Sequence, residues 1–448
     1  MDFVQFKSVV ADKAAEMGIQ DYELYYETCE STMVGAFAHE INQFTGSLSG
    51  GVCFRCIVDG KMGYASTEAL NEAEAAAIVE RAADNAATLE TDDPVFLGEG
   101  GQTYETLDLK PYELPSTEAL IEKVLQTQEA AYAADSRVVD GSTTQGVAER
   151  SEIAIFNSKG LDLSYVNQIS ALISVAVVDG GEEKANAVKI KLGALSELDG
   201  AAIAGEAVRR AVSKLGGEVA ATGVFPVVFN SEAMADLLQT FSSIFSSEAA
   251  QKGLSRLNDA EGTAIASEAV TIMDDPFHPE NPMPISFDAE GSPTYRKSVV
   301  EKGVLNTLLY NLKTAALAGK KTTGNASKAG YNATVAVRPF TMYLAPGEYT
   351  EEELLKKAGN GVYINFLGGL HAGANAISGD FSLEAAGYLI ENGEKTTPVK
   401  SFTVAGNFYD LLKNITAVAD NVELPSALGM TAFGAPSVLV ENLSIAGK

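Results

Sequence analysis

Apolar residues Phe3, Phe6, Val10 and Met17 recur at helical spacing, so the chain opens on an amphipathic helix. Strand-like runs follow at Glu23–Thr28, Thr32–His39 and Gly51–Val58, and the pair Asp59, Gly60 turns into a further run at Lys61–Ala65. Asp-Gly between alternating strands is a strong hairpin signal. Ile78, Val79, Ala82, Ala86 and Leu89 then mark a second helix. The same order repeats downstream. A helix spans Thr117–Ala134, strands are expected at Val138–Gly141, Ser151–Phe156 and Ile169–Val178, and Asp179, Gly180 form the matching turn. A closing helix carries Ala204, Val208, Ala211, Val212 and Leu215. The motif IVDG at 57–60 thus returns as VVDG at 177–180. Pro94, Gly98, Gly100, Gly101, Pro111 and Pro115 mark the stretch between the halves as a surface linker.

A boundary falls at the glycines 216–223. Beyond it, Val224–Phe229 reads as a buried strand, and Asn230 or Ser231 caps a helix with Glu232 in its first turn. Met234, Leu237, Leu238, Phe241, Ile244 and Phe245 keep helical phase, and Gly253 suits the helix end. The remainder is strand-rich: Asp288–Gly291, Val304–Tyr310, Val335–Leu344, Gly361–Leu367, Gly387–Gly393, Phe402–Gly406 and Val438–Ile445. Helices are expected at Leu312–Ala318, Thr350–Ala358 and Phe408–Asn414. Strands clustered apart from βαβ alternation indicate an α+β chain of two domains. The first covers 1–218, with duplicated halves at about 1–90 and 116–215, and the second, mainly β with helices, covers 222–448.

Length and composition agree with more than one core. The chain has 448 residues, against a prior of about 150 per domain. Apolar residues make up 46 % and the mean hydropathy is +0.04, a globular balance. The net charge is −28, from 32 basic and 60 acidic residues, with no basic cluster. Direct nucleic-acid binding and anionic membrane surfaces are therefore not expected. The first residues lack a signal-peptide pattern, and no segment offers the ~18 apolar residues of a spanning helix, so the expected location is the cytoplasm.

Cys53 and Cys56 form a C-x-x-C, but within a strand i and i+3 face opposite sides, and no second Cys/His pair completes a metal site. The histidines are His39, His278 and His371. His39 with Glu40 starts an H-E-x-x-x-H, yet residue 44 is Phe44. A Ser–His–Asp set from Ser378, His371 and Asp380 exists in composition only, since nothing fixes its geometry.

Three segments of the second half, in order, resemble the TldD/PmbA family, once called modulators of DNA gyrase. They are FDAEGSPT at 287–294; GGLHAG at 368–373 followed by ISGDFS at 377–382; and VAGN at 404–407 followed by the terminal LSIAG at 443–447. The resemblance covers nearly the whole chain and implies the two-domain fold of that family. Its catalytic, TldD-like branch carries His-Glu-x-x-x-His on a helix plus a downstream Cys, which hold zinc. Such a metal lowers the pKa of a bound water and polarises the scissile carbonyl. Matching the helix after Val224–Phe229 puts Gln239, Thr240 and Ile244 at the His, Glu and His positions, and the Cys position near Leu428–Met430. None can replace its counterpart, so no metal or cofactor is expected on this chain.

The resemblance is therefore to the PmbA, or TldE-like, branch. It implies a partner subunit of TldD type that supplies the zinc, in a peptidase acting on unfolded peptides. This chain would be inactive alone, with no catalytic residue of its own. Gly369, His371, Ser378, Gly379, Asp380 and Asn407 are the candidate peptide or partner contacts. An exposed strand edge at Gly368–Ser382 would let a peptide add by backbone hydrogen bonds. The rival expectation is a self-sufficient homodimeric peptide-binding or scaffold protein.

Overall fold

The computed structural model describes residues 1–107, 113–424 and 431–448. Helix α1 (Phe3–Glu16) starts at Asp2, whose side chain accepts the amide of Gln5. It buries Phe6, Val10 and Ala14. Strands β1 (Asp21–Phe37), β2 (Glu40–Val58) and β3 (Lys61–Thr67) follow, then α2 (Glu72–Thr88). The two runs expected at 23–28 and 32–39 are one continuous strand of 17 residues. The polar stretch between them did not break it, because β2 and the next half pair along its whole length. The β1–β2 turn falls at Ala38 and His39 and the β2–β3 turn at Asp59 and Gly60, all four with positive φ. A two-residue hairpin turn needs that backbone.

The second half gives α3 (Thr117–Ala134), β4 (Thr143–Asn157), β5 (Asp162–Asp179), β6 (Lys184–Gly193) and α4 (Gly200–Val212). The run at 138–141 makes only isolated bridges, and β6 had no distinct sequence signal. The Asp179, Gly180 turn is longer than its counterpart: Gly180 bonds to Glu183 and strand pairing resumes at Lys184. The halves do not form separate sheets. They fuse through β1 and β4 into one antiparallel sheet of order β3-β2-β1-β4-β5-β6. Helices α1 and α2 pack on one half through Phe6, Val10, Ile78 and Val79, and α3 and α4 on the other through Leu120, Val124, Ala204 and Val208.

The second domain begins with β7 (Glu218–Val219), β8 (Gly223–Phe229) and α5 (Ser231–Phe241). A 3-10 turn at Ser242–Phe245 separates α5 from α6 (Ser247–Gln251). The single long helix expected there is thus broken, although Ile244 and Phe245 still reach the core. Strands β9 (Ile272–Asp274), β10 (Lys297–Glu301) and β11 (Val304–Leu305), helix α7 (Leu312–Leu317), and strands β12 (Ala326–Ser327), β13 (Ala336–Val337) and β14 (Thr341–Leu344) come next. Then come α8 (Glu351–Ala358), β15 (Gly361–Gly368), α9 (Leu370–Gly373), β16 (Asp380–Glu391), β17 (Glu394–Asn407), α10 (Phe408–Asn414), β18 (Ile415–Val418), β19 (Ala432–Gly434) and β20 (Val438–Ala446). The runs expected at 304–310 and 335–344 are strand only in part. The run at 288–291 is a turn: the Asp288 carboxylate accepts the amides of Glu290 and Ser292, and Gly291 has φ +75°.

The larger sheet runs β18-β20-β8-β15-β16-β17-β7, and β20 also pairs with β17. Strands β20, β8, β15, β16 and β17 therefore close into a ring. Its inward residues Val227, Ile364, Leu383, Val404 and Val440 share one core with Leu238 and Phe241 of α5 and Phe408 of α10. The Phe241 and Phe408 rings stack at 4.6 Å. Closure removes free strand edges, and β15 and β16 are paired on both sides. The edge expected at 368–382 is largely covered: Gly368 pairs with Glu384, Ala374 bridges to Phe381, and residues 380–382 pair with β17. The stretch between the halves also differs from a surface linker. Leu97 is buried, Asn157 donates to the Gly98 carbonyl, and Tyr104 donates to the carbonyl of Gly291 in the second domain. Pro111 lies outside the described residues. No helix among the described residues is long and apolar enough to cross a membrane.

Candidate functional site

Helix α5 leaves β8 through Asn230, whose side chain caps the Ala233 amide at 2.8 Å. Its apolar stripe turns Met234, Leu237 and Phe241 into the core, which decides where the remaining positions face. Gln239 is exposed and lines a cleft of about 560 Å³ with Ser243, Lys252, Arg338 and Thr431. Thr240 spends its hydroxyl on the Asp236 carbonyl at 2.7 Å. Ile244 is sealed in the core with 0 % exposure. The three positions of the expected motif thus face three environments, and only Gln239 meets the cleft.

This set does not fit zinc. Its only cleft-facing member offers a neutral amide, and one of the other two is hydrocarbon. The position matched to the third ligand, 428–430, lies outside the described residues, and its sequence is Leu-Gly-Met. The histidines sit apart on unrelated elements. His39 pairs with Glu129 at 2.7 Å, His278 packs edge-on to Tyr343, and His371 is exposed on α9. Cys53 and Cys56 enter different cores on opposite faces of β2, as the strand reading requires.

Installing Gln239→His, Thr240→Glu and Ile244→His together is expected to give no peptidase and to cost stability. A histidine at 244 would bury an imidazole without a partner, a penalty of roughly 1–3 kcal/mol, and no framework orients either ring. Urea melts and a chelator-controlled peptide assay check this. Chelator-sensitive cleavage by the triple variant would contradict it.

The second candidate group is partly assembled. Asn375 opens a turn by accepting the amides of Ile377 and Ser378. Asn407 then donates to the Ser378 carbonyl and to the Asp380 carboxylate, both at 2.8 Å. Hydrogen bonds from Asn407 and Ser378, with the Arg256 charge, hold Asp380 below the usual carboxylate range. Gly379 has φ +80°, and a Cβ there would lie 2.5 Å from the Tyr409 ring. Ser378, Gly379, Asp380 and Asn407 thus form one internally hydrogen-bonded group. Gly369 and His371 belong to the neighbouring α9 turn, where Gly369 takes a left-handed conformation. Ser378, His371 and Asp380 show no mutual hydrogen bonding of the triad kind: Asp380 is held by Asn407, and the Ser378 hydroxyl accepts the Asp380 amide.

Buried charge escaped the sequence reading. Arg55 of β2 pairs with Glu23 of β1 at 2.8 Å, and Glu290 of the second domain approaches at 3.9 Å. Asp274 is wholly buried and accepts from Lys297, Asn325, Phe340 and Thr341. The available signal was weak: ionisable residues inside otherwise apolar strand runs.

Comparison with known proteins agrees with this architecture. Residues 22–86, 110–215 and 222–447 match models described as PmbA/TldA metallopeptidase domain 1, central domain and C-terminal domain. A protein of Thermotoga maritima MSB8, named as a candidate modulator of a DNA gyrase, is 32 % identical, with a TM-score of 0.89 over 99 % of this chain and 100 % of that one. TldE from Thermococcus kodakarensis superposes with a TM-score of 0.87 at 23 % identity, over 98 % and 99 % of the two chains. Metalloprotease PmbA of Escherichia coli O157:H7 is 29 % identical over 76 % of this chain and 73 % of its own. A metalloprotease TldD homologue of Buchnera aphidicola is 30 % identical, but over only 54 % of this chain and 52 % of its own. Matched from end to end in sequence and fold, the chain belongs to the PmbA/TldD metallopeptidase family.

Proposed function

We propose that this chain is the non-zinc-binding subunit of a cytoplasmic metallopeptidase complex that cleaves unfolded peptides, with a TldD-like subunit supplying the metal. The observation that carries the reading is Ile244. A ligand position filled by a fully buried hydrocarbon cannot be recruited by a small rearrangement, yet the fold around it is that of the family. Selection on such a chain acts on shape and contact in place of metal chemistry. The loop 375–380 and the α9 turn are the contact surface in this reading. The loop is internally hydrogen-bonded, and the two segments present His371 and Ile377, the latter 51 % exposed, beside the Asp380 charge. Contact there runs through side chains and turn groups, since the neighbouring strands are already paired.

The test is peptidase activity of a cognate TldD-like subunit alone, with this chain, and with a His371→Ala, Ile377→Asp variant. Gly379→Val would be a poor probe, because its side chain collides with Tyr409 and disturbs the fold. Activity is expected to rise at least tenfold with the parent chain and far less with the variant. Equal activity in all three mixtures, with no complex by sedimentation, would overturn the proposal in favour of a self-sufficient homodimeric peptide-binding or scaffold protein.

A further inference from the structure

A second cleft, of about 460 Å³, opens between the two domains. One wall is α4 and β6 of the first domain, and the other is α5, β15 and β16 of the second. Arg210 ties the walls together, donating to Glu206 of its own helix and pairing with Glu232 of α5 at 2.5 Å. The other cations of the cleft are also engaged. Arg209 forks onto Glu206. Lys214 donates to the Asn186 carbonyl and rests 3.9 Å over the Phe366 ring. Lys395 pairs with Glu351.

On the second-domain wall three oxygen-bearing side chains remain unengaged, and across the cleft the exposed Asn186 carboxamide is a fourth. The carboxyl of Asp236, one helical turn beyond Glu232, accepts no hydrogen bond and forms no ion pair among the described residues. The Asn365 carboxamide and the Tyr388 hydroxyl likewise have no hydrogen-bond partner among the described residues. Asn365 is the bulged residue of β15, where the register with β16 slips between Ile364 and Phe366. A bulge is a common device for re-aiming a side chain at a site. Burial, reinforced by Glu232 and opposed by Arg210, pushes Asp236 up to about 7. A carboxyl so placed is short of a cation.

We propose that this interdomain cleft is a binding site for a small organic ammonium ion. Asp236 supplies the countercharge, and Asn365 and Tyr388 accept the remaining N–H donors. An ammonium has three donors and no acceptor, which matches three acceptor groups. Phe366, Leu367 and Val188 line the cleft beside them and suit an apolar stem. An anion is disfavoured, because every lining cation already holds a partner and Asp236 would repel it. Nothing in this site depends on the peptidase reading.

The experiment is titration of the full chain with n-butylammonium at pH 8, followed by calorimetry and saturation-transfer NMR, with tetramethylammonium as the donor-free control. Saturable one-to-one binding of butylammonium is expected, and none of the control. Asp236→Asn should weaken binding at least tenfold. Its melting temperature should stay level or rise, since a half-buried charge becomes neutral. Tyr388→Phe, which removes one hydroxyl, should weaken binding several-fold and guards against misfolding of the first variant. Absence of saturable binding, or equal binding by the parent and both variants, would overturn the proposal.

Discussion

Asp274→Ala is expected to unfold the second domain under conditions in which the parent chain stays folded. Asp274 ends β9 with 0 % exposure. One carboxylate oxygen accepts the amides of Phe340 and Thr341, at 2.9 and 3.1 Å. The other accepts Asn325 at 2.7 Å and the Lys297 ammonium at 3.1 Å. Truncation strands two backbone donors, one side-chain amide and a buried cation together. Breaking a buried ion pair from one side alone costs about 3–5 kcal/mol, and each orphaned donor adds roughly 1–3 kcal/mol. Even with strong non-additivity, the loss is a large part of the ~5–15 kcal/mol that stabilises a domain. The β9-β14 pairing and the 338–341 approach should fail first, because Asp274 is their common acceptor. Urea denaturation with limited proteolysis reads the result. Lys297→Met is the control: it leaves Asp274 with three donors and should cost clearly less. Equal losses from both changes would show that the carboxylate does not organise this corner.

Local signals in the sequence hold in the fold where the cause is local. The Asp59-Gly60 turn, the cap at Asn230, and the apolar faces of α1 and α2 depend on neighbours within a few residues. The fold departs from the sequence reading where a distant partner decides. Strand β1 runs unbroken through a polar stretch because two long strands pair with it. The ring of the second domain closes through Thr403–Ala405 against Ser444–Ala446, a pairing that no periodicity announces. The 288–291 run alternates like a strand, yet the Asp288 side chain captures its backbone donors and bends it. The break after Phe241 was hidden for a different reason: Ile244 and Phe245 face the core from a 3-10 turn as they would from a helix.

At the candidate site, residue types were informative and positions were not. That no His pair lies on α5 follows from the sequence. That Ile244 is sealed while Gln239 faces a cleft needs the helix docked in its core. Asp236 illustrates the limit: an acid in mid-helix, one turn beyond Glu232, reads as a solvent-facing residue. Its lack of a partner appears only when α4 and β15 are placed around it.

The same reasoning governs Arg55, where a change to Met is expected to destabilise the chain by about 3–5 kcal/mol at pH 8 and by less at pH 5. In sequence, Glu23 and Arg55 look like outward residues of half-buried strands. In the structure they sit opposite each other on β1 and β2, and residues 287–291 of the second domain cover that face. Glu23 and Arg55 are 1 % and 5 % exposed. Glu290 joins them and accepts the Leu312 amide, so one guanidinium serves two carboxyl groups. Burial, opposed by Arg55 and reinforced by Asp288, pushes Glu290 up to about 7. Its folded value exceeds the ordinary one near 4.5, so the folded state holds this proton more tightly. The group's contribution is therefore complete at low pH and is lost as pH rises towards 7, after which it is level. Removing Arg55 leaves both carboxylates uncompensated at pH 8. At pH 5 Glu290 is protonated and the second charge is absent. Denaturation at the two pH values measures the difference, and Arg55→Met with Glu290→Gln should recover part of the loss at pH 8. A loss independent of pH would mean that Arg55 acts there through packing of its stem and not through charge.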